Sequence, residues 1–139
     1  MTAQASIIQL IPEEADPTWI ISYLEGEEFT ARHVEALKVL STINVRELAH
    51  ILGITPKTFT VYTKDATKVK IDTKEHILLL LSLIKKGTTV FGDAKVFHTW
   101  LTAPNVFFDR KKPLEFLRTI SGIRFVDHRL TAMEYGDNV

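Results

Sequence analysis

Cysteine is absent from the 139 residues of the chain. This excludes disulfide bonds and thiolate zinc sites and favours a reducing compartment. Long apolar runs are missing too, because the most apolar stretch, residues 77–84, is far shorter than the ~20 residues that span a bilayer. The first ten residues carry no basic flank before their apolar stretch, which argues against a secretory signal. We therefore expect a cytoplasmic protein with no membrane contact.

The groupings that are typical of catalytic and metal sites are also missing. The five histidines are scattered without the spacing of metal ligands, and no HExxH motif occurs. No glycine-rich phosphate loop and no serine in a nucleophile elbow can be found. The sequence therefore predicts no enzyme activity, no cofactor and no metal.

Net charge is zero, with 17 basic and 17 acidic residues, but the charges are unevenly distributed. Residues 12–50 hold eight acidic and three basic side chains, whereas residues 55–74 hold five lysines and two aspartates. A local basic patch beside a helix is what a DNA-binding protein needs. The neutral total suggests DNA binding that is weak per monomer and is helped by oligomerisation.

Apolar residues make up 45% of the chain and recur at helical spacing, so the sequence predicts an all-α fold. Residues 1–15 lack a clear period, and we interpret them as a mobile or loosely docked arm. The next four helices are predicted to start at Asp16, after Thr30, at Asn44 and at Thr55, and Asp16, Asn44 and Thr55 are predicted N-caps. The apolar set predicted for the second of these helices is Val34, Leu37, Val39 and Leu40.

Helices are also predicted for the second half of the chain. A long helix begins at Thr73, and another covers residues 93–103, with Val96, Phe97, Trp100 and Leu101 on one side. A short helical turn starts at Pro113. The last helix covers residues 119–135, and its apolar stripe is Ile120, Ile123, Val126, Leu130 and Met133.

Residues 45–64 have the pattern of a helix-turn-helix. Ala49 is small where the two helices would cross, and Gly53 tolerates a left-handed turn. The apolar positions that would hold the pair to the core are Leu48, Leu52, Ile54, Phe59 and Tyr62. The second helix would then enter the major groove of DNA. A helical hairpin that packs in the same way without binding DNA is the alternative.

Threonines and lysines are the side chains of this segment that could reach DNA. We expect Thr55, Lys57, Thr58, Thr60 and Val61 to face DNA, and Lys64, Lys68 and Lys70 to lie near phosphates. No Arg, Asn or Gln lies on the second helix, so little direct base readout is expected.

The C-terminal half carries a series of short motifs in a fixed order. They are Phe91-Gly92-Asp93, Trp100-Leu101, Pro104-Asn105, Pro113-Leu114-Glu115-Phe116-Leu117, Gly122 and Tyr135-Gly136. With the helix-turn-helix upstream, this part of the chain resembles the Xre/MbcA/ParS-type antitoxins over roughly residues 30–139. In that family a glycine pair often follows Pro-Asn, whereas this chain has residues 107–111, Phe-Phe-Asp-Arg-Lys.

The resemblance implies a protein partner, a toxin of the RES-domain type that degrades NAD. The antitoxin would cover the toxin's active site and bind its own promoter. A sister branch of the family neutralises toxins that ADP-ribosylate. The resemblance also implies that the long helix continues to about Phe91, although Gly87 and the β-branched residues after it locally predict a break.

We expect toxin contacts at the Pro-Asn loop and at the C-terminal end of the last helix. An NAD pocket offers positive groups to a diphosphate, and Glu134, Asp137 and the terminal carboxylate would place negative charges there. The expected toxin-binding residues are Asn105, Phe107, Arg129, Met133, Glu134, Tyr135, Gly136 and Asp137. Two adjacent aromatics, Phe107 and Phe108, cannot both easily point inward, so one of them is a candidate for a partner surface.

Residues 77–84 are apolar nearly all round, which indicates either a buried core helix or, as we favour, a homodimer interface. The expected organisation is an arm at residues 1–15, a helix-turn-helix and dimerisation domain at residues 16–71, and a toxin-binding domain at residues 72–139. Two alternatives to a DNA-binding antitoxin stay open: a stand-alone transcription regulator, and a toxin-binding protein without DNA binding.

Overall fold

A central helix, α6 (Ile71–Phe91), organises the structure, a computed structural model that describes residues 3–136. The helices before it are α1 (Ala3–Leu10), α2 (Pro17–Glu25), α3 (Ala31–Leu40), α4 (Val45–Leu52) and α5 (Pro56–Tyr62). After it come α7 (Ala94–Leu101), the 3₁₀ turns Val106–Phe108 and Pro113–Phe116, and α8 (Ile120–Glu134). Residues 3–136 contain no β-strand, so the predicted all-α class is confirmed.

Residues 77–84 form the buried middle of α6. All their side chains except Leu79 are buried within the single chain, because α6 contacts α1, α2, α3, α4, α7 and α8. The stretch is therefore core, and the homodimer interface predicted there was wrong. Since α6 packs against helices from both halves, the two parts of the chain share one core.

Gly87 explains why α6 continues to Phe91 where local propensity predicts a break. A Cβ atom at residue 87 would overlap the ring of Phe97 on α7. Glycine therefore lets α6 and α7 approach closely, and this contact outweighs the modest helix penalty of glycine. The continuation that the family resemblance implied is confirmed.

The predicted helix starts are confirmed by side-chain caps. Asp16, Thr30, Asn44 and Thr55 each accept a hydrogen bond from a backbone N–H in the first turn of the following helix. Two residues that were assigned to apolar faces lie in water instead: Val39 is 49% exposed and Val96 is 48% exposed. Each lies on the outer side of a helix whose other apolar residues already face the core.

The N-terminal segment is attached to α6 more firmly than its lack of period suggested. Ile7 and Ile11 are buried, and α1 packs against α3 and α6. The Ser82 hydroxyl donates to the Pro12 carbonyl at 2.6 Å, and Lys85 Nζ donates to the Ile11 carbonyl at 2.7 Å. Within residues 3–15 the expected loose arm is thus replaced by a docked helix, because side chains of α6 donate hydrogen bonds to carbonyls at the end of α1 and just after it.

Among residues 3–136 no helix combines the length and the apolar character needed to cross a membrane.

Candidate functional site

The loop after α7 is closed by backbone and side-chain hydrogen bonds from one residue, Asn105. Its Oδ1 accepts from the Phe107 N–H at 2.9 Å and so caps the 3₁₀ turn Val106–Phe108. Its own N–H donates to the Lys111 carbonyl at 3.0 Å, and its carbonyl accepts from the Arg110 N–H at 2.9 Å. Asn105 therefore shapes the loop that presents Phe107.

Asp109 and Arg110 both adopt left-handed backbone conformations, with φ of 56° and 64°. Glycine adopts this region without steric cost, whereas other residues do so at a cost of about 1–2 kcal/mol. The sequence could not settle how the loop folds without the family's glycine pair. In the structure two successive non-glycine residues take up a conformation that glycine favours.

The two adjacent phenylalanines point in opposite directions, as the sequence indicated. Phe108 is buried, and its ring centroid lies 5.6 Å from that of Trp100 and 5.1 Å from that of Phe116. Phe107 remains 44% exposed. Phe108 therefore belongs to the packed aromatic cluster, whereas the neighbouring Phe107 ring lies at the surface.

Arg129 on α8 lies against the exposed ring of Phe107. Its guanidinium carbon is 3.6 Å from the ring centroid, a cation–π arrangement. The contact joins the loop after α7 to the middle of α8. It brings together two of the residues that were predicted to bind the toxin.

Two further apolar side chains extend this surface. Val106 precedes Phe107 and is 74% exposed, and Phe125, one helical turn before Arg129 on α8, is 48% exposed. We call Val106, Phe107, Phe125 and Arg129 the aromatic face. Neither Val106 nor Phe125 was predicted from the sequence to lie on this surface. Phe125 could have been recognised, because it lies outside the apolar stripe of its helix.

Glu134 lies on another side of α8, where it faces a buried lysine. Lys86 Nζ is within hydrogen-bonding distance of Asp127 Oδ1, at 2.9 Å, and of the Thr131 hydroxyl, while Glu134 Oε1 is 3.9 Å away. Glu14, in the segment between α1 and α2, also pairs with Lys86. The spacing of Asp127, Thr131 and Glu134 places all three on one stripe of α8, opposite Arg129.

Burial disfavours the charged form of Lys86, but hydrogen bonds and charge from Glu14 and Asp127 outweigh that effect. The net result is a pKa above the usual value for lysine, so Lys86 stays protonated. This buried cation fixes the rotation of α8 about its own axis and thereby directs the aromatic face outward.

The other predicted toxin-binding residues lie at the end of α8. Met133 is half-buried and packs against the core, whereas Tyr135 is 86% exposed and Gly136 has a φ of 94°. Asp137 lies outside the described residues. The structure therefore brings together Asn105, Phe107 and Arg129, and it separates Glu134 from them.

The segment predicted as a helix-turn-helix consists of α4 and α5, joined by a three-residue turn. Gly53 in this turn has φ 71° and ψ 29°, and the Ile54 N–H donates to the Ala49 carbonyl at 3.0 Å. Ala49 and Phe59 are buried where the two helices meet the core. The arrangement has the close crossing and the left-handed turn that the motif requires.

The side chains that were predicted to contact DNA differ in how free they are. Lys57, Lys64, Lys68 and Lys70 are exposed, and so is Val61. The threonine hydroxyls already bond within the chain: Thr55 donates to the Thr58 hydroxyl at 2.9 Å, and Thr60 donates to the Pro56 carbonyl at 3.1 Å. The lysines are thus better placed for phosphate contacts than the threonines are for reading bases.

The comparison with known families bears on the C-terminal part of the chain. Residues 86–136 match the model of the antitoxin Xre/MbcA/ParS C-terminal toxin-binding domain. The resemblance drawn from the short motifs is thereby confirmed for these residues. A search of the curated proteins found no match.

The segment that matches the toxin-binding domain contains the whole aromatic face. It starts at Lys86 inside α6 and includes α7, both 3₁₀ turns and α8. Asn105, Phe107, Phe125 and Arg129 all fall within it. The aromatic face thus belongs to the part of the chain that is similar to a toxin-binding domain.

Proposed function

We propose that this protein is the antitoxin of a type II toxin–antitoxin system and that it binds its toxin directly through the aromatic face. The observation that carries the proposal is the exposed Phe107 ring, braced by Arg129, within the segment that matches a toxin-binding domain. Binding energy at protein interfaces concentrates in aromatic and arginine side chains with little freedom to lose. We further propose a cytosolic RES-type toxin that degrades NAD as the partner.

The mode of inhibition that we propose is occlusion of the toxin's active site. The aromatic face would bind the toxin. Residues 134–139, which include Tyr135 and follow the body of α8, would cover the toxin's active-site pocket. Glu134 keeps a 40% exposed side chain beside Lys86, so it retains an accessible charge for positive groups in an NAD pocket. Neither role requires the antitoxin to carry out catalysis.

Co-expression with the neighbouring reading frame tests this proposal. Expression of the neighbour alone should stop growth and deplete cellular NAD, and the present chain should restore both while it co-purifies with the neighbour's product. Phe107→Ala should weaken the complex about tenfold or more. Val39→Ala on α3, with 49% exposure but outside the match, is the control and should leave binding unchanged.

A harmless neighbour with no co-purification would contradict the antitoxin function. Rescue of growth without any change in NAD would instead indicate a toxin that ADP-ribosylates a protein. Removal of residues 134–139 tests the occlusion step separately. A truncated protein that still binds but no longer protects fits occlusion, whereas full protection contradicts it.

We also propose that α4 and α5 bind operator DNA and that the protein regulates its own operon. The exposed lysines around α5 and the left-handed turn at Gly53 favour this function. Two copies in a homodimer would place two α5 helices on one operator, with a contact surface outside residues 77–84. If DNA binds but no toxin does, the protein is a stand-alone transcription regulator.

Salt dependence separates DNA binding from the alternative of a helical hairpin without this function. Binding to the protein's own promoter should weaken steeply as salt rises, because each phosphate contact releases counterions. Lys57→Ala and Lys64→Ala should each reduce the slope of log K against log salt by about 1. Glu25→Ala, on α2, is the control and should leave the slope unchanged.

A further inference from the structure

A groove of about 530 Å³ runs between α2 and α8, both of which pack on α6. Leu79 and Leu83 of α6 form its floor, Ile20 and Ile21 of α2 line one side, and Ile120 of α8 lines the other. Three helices thus bound the groove and leave an apolar channel between them, and a fourth helix would fit this channel.

Apolar side chains in this groove remain in contact with water. Ile21 is 56% exposed, and Leu79 and Ile120 are partly exposed. A single exposed apolar residue is ordinary, but exposed residues from three helices that line one groove are typical of an interaction surface. Leu79 is also the residue of the 77–84 stretch that the core does not fully cover.

The rim of the groove is strongly acidic. Its acidic lining residues are Glu13, Glu14, Asp16, Glu75 and Asp127, and Arg124 and His128 are its basic ones. Lys86 neutralises part of the charge of Glu14 and Asp127 from beneath. Glu13, Asp16 and Glu75 remain as acidic groups around the apolar floor, and Asp16 also caps α2.

We propose that this groove is a docking site for a cationic amphipathic helix of a protein partner. Such a helix would place its apolar stripe on Leu79, Ile21 and Ile120 and its lysines or arginines at the acidic rim. A second copy of this chain fits poorly, because a two-fold contact would bring two acidic rims together. The acidic rim also repels nucleic acid.

The docking site is separate from the aromatic face, and it does not depend on the proposed function. Asp127 and Arg124 line the groove, whereas Phe125 and Arg129 point to the other side of α8. The chain can therefore bind two protein segments on opposite sides of one helix.

The test uses the full chain and a synthetic amphipathic peptide of leucine and lysine, with the leucines at helical spacing. Binding is measured by calorimetric titration, and the site is mapped by amide chemical-shift changes. A second peptide with glutamate in place of lysine reports on charge. We expect the lysine peptide to bind, to shift amides of α2 and α8 along the groove, and to bind more weakly as salt rises.

Two groove variants and two matched controls locate the binding. Ile21→Ser and Glu75→Lys should each weaken the lysine peptide about fivefold or more. Val39→Ser and Glu25→Lys, which make the same kinds of change at exposed side chains outside the groove, should stay within about twofold. Circular dichroism of each variant establishes that it is folded.

Three outcomes would overturn the proposal. One is a lysine peptide that does not bind, or that binds Ile21→Ser and Glu75→Lys as tightly as the unchanged protein. Another is equal affinity for the glutamate peptide. The last is a dimer in sedimentation analysis that Ile21→Ser abolishes, which would assign the groove to a second copy of the chain.

Discussion

Lys86 and Asp127 form an ion pair between α6 and α8, with Nζ and Oδ1 2.9 Å apart and only 2% of the lysine side chain exposed. Glu14 binds the same ammonium from the N-terminal segment, and its side chain is 66% exposed. One buried charge thus connects three parts of the chain. A buried ammonium that loses its principal partner destabilises the folded state, because its desolvation is no longer compensated.

The two carboxylates should therefore differ in their contribution to stability. Asp127→Asn should lower the free energy of unfolding by about 1–3 kcal/mol, because it removes the less exposed partner. Glu14→Gln should cost less than about 1 kcal/mol, because water screens its charge. Urea denaturation measures both, with Glu13→Gln as the neighbouring control. Equal losses for the two variants would contradict the assignment of Asp127 as the main partner.

His33 should make the protein less stable in mild acid. The imidazole is buried, its Nδ1 accepts from the Thr30 N–H at 3.0 Å, and its Nε2 lies 2.6 Å from the Tyr23 hydroxyl. Burial lowers its pKa to about 4 from 6.5. The unfolded chain therefore binds a proton near pH 6.5 that the folded chain does not bind until about pH 4.

The stabilising effect of neutral His33 is fully present above pH 6.5 and is lost as the pH falls toward 4, by up to about 3 kcal/mol. His33→Gln keeps an acceptor for the Thr30 N–H but does not titrate. Its free energy of unfolding should fall less steeply over this interval in urea denaturation at a series of pH values. Parallel curves for the two proteins would exclude His33 as a source of the acid sensitivity.

The close approach of α6 and α7 at Gly87 predicts a strong effect of one methyl group. Gly87→Ala should destabilise the protein by about 1–3 kcal/mol, because the new Cβ would overlap the Phe97 ring. Combining it with Phe97→Leu should cost less than the sum of the two single changes. Thermal unfolding of the four proteins in this cycle provides the measurement, and strict additivity would contradict the contact.

The left-handed residues of the loop after α7 offer a stabilising change. Arg110→Gly should raise the free energy of unfolding by about 0.5–1 kcal/mol, because glycine at φ 64° avoids the steric cost of a Cβ. Lys111→Gly, at a position without a positive φ, should be neutral or destabilising. Urea denaturation of both variants tests this, and a loss of stability in Arg110→Gly would show that the loop conformation differs.

The sequence predicted most of the helix boundaries, because their signals are local. Asp16, Thr30, Asn44 and Thr55 cap their helices through contacts within three residues, and such spacing can be recognised in a chain without coordinates. The opposite directions of Phe107 and Phe108 could be anticipated for a similar reason, since neighbouring side chains rarely point the same way.

Contacts between distant residues could not be predicted in this way. The attachment of the N-terminal segment depends on Ser82, Lys85 and Lys86, which lie some 70 residues from their partners in that segment. A lysine in an apolar helix gives no indication of where its counterion lies. The exposure of Phe125 also depends on the roll of α8, which the buried ion pairs determine.

The shared helix α6 has a consequence for how such proteins can exchange parts. The match to the toxin-binding domain starts at Lys86, so a junction placed there would cut α6 between its buried middle and its contact with α7. A hybrid made at that point would join one protein's core residues to another protein's α7 and α8. Partner specificity could then be transplanted only together with residues 77–84 and the segment around Glu14. A change of toxin thus requires compatible substitutions in the interior as well as on the surface.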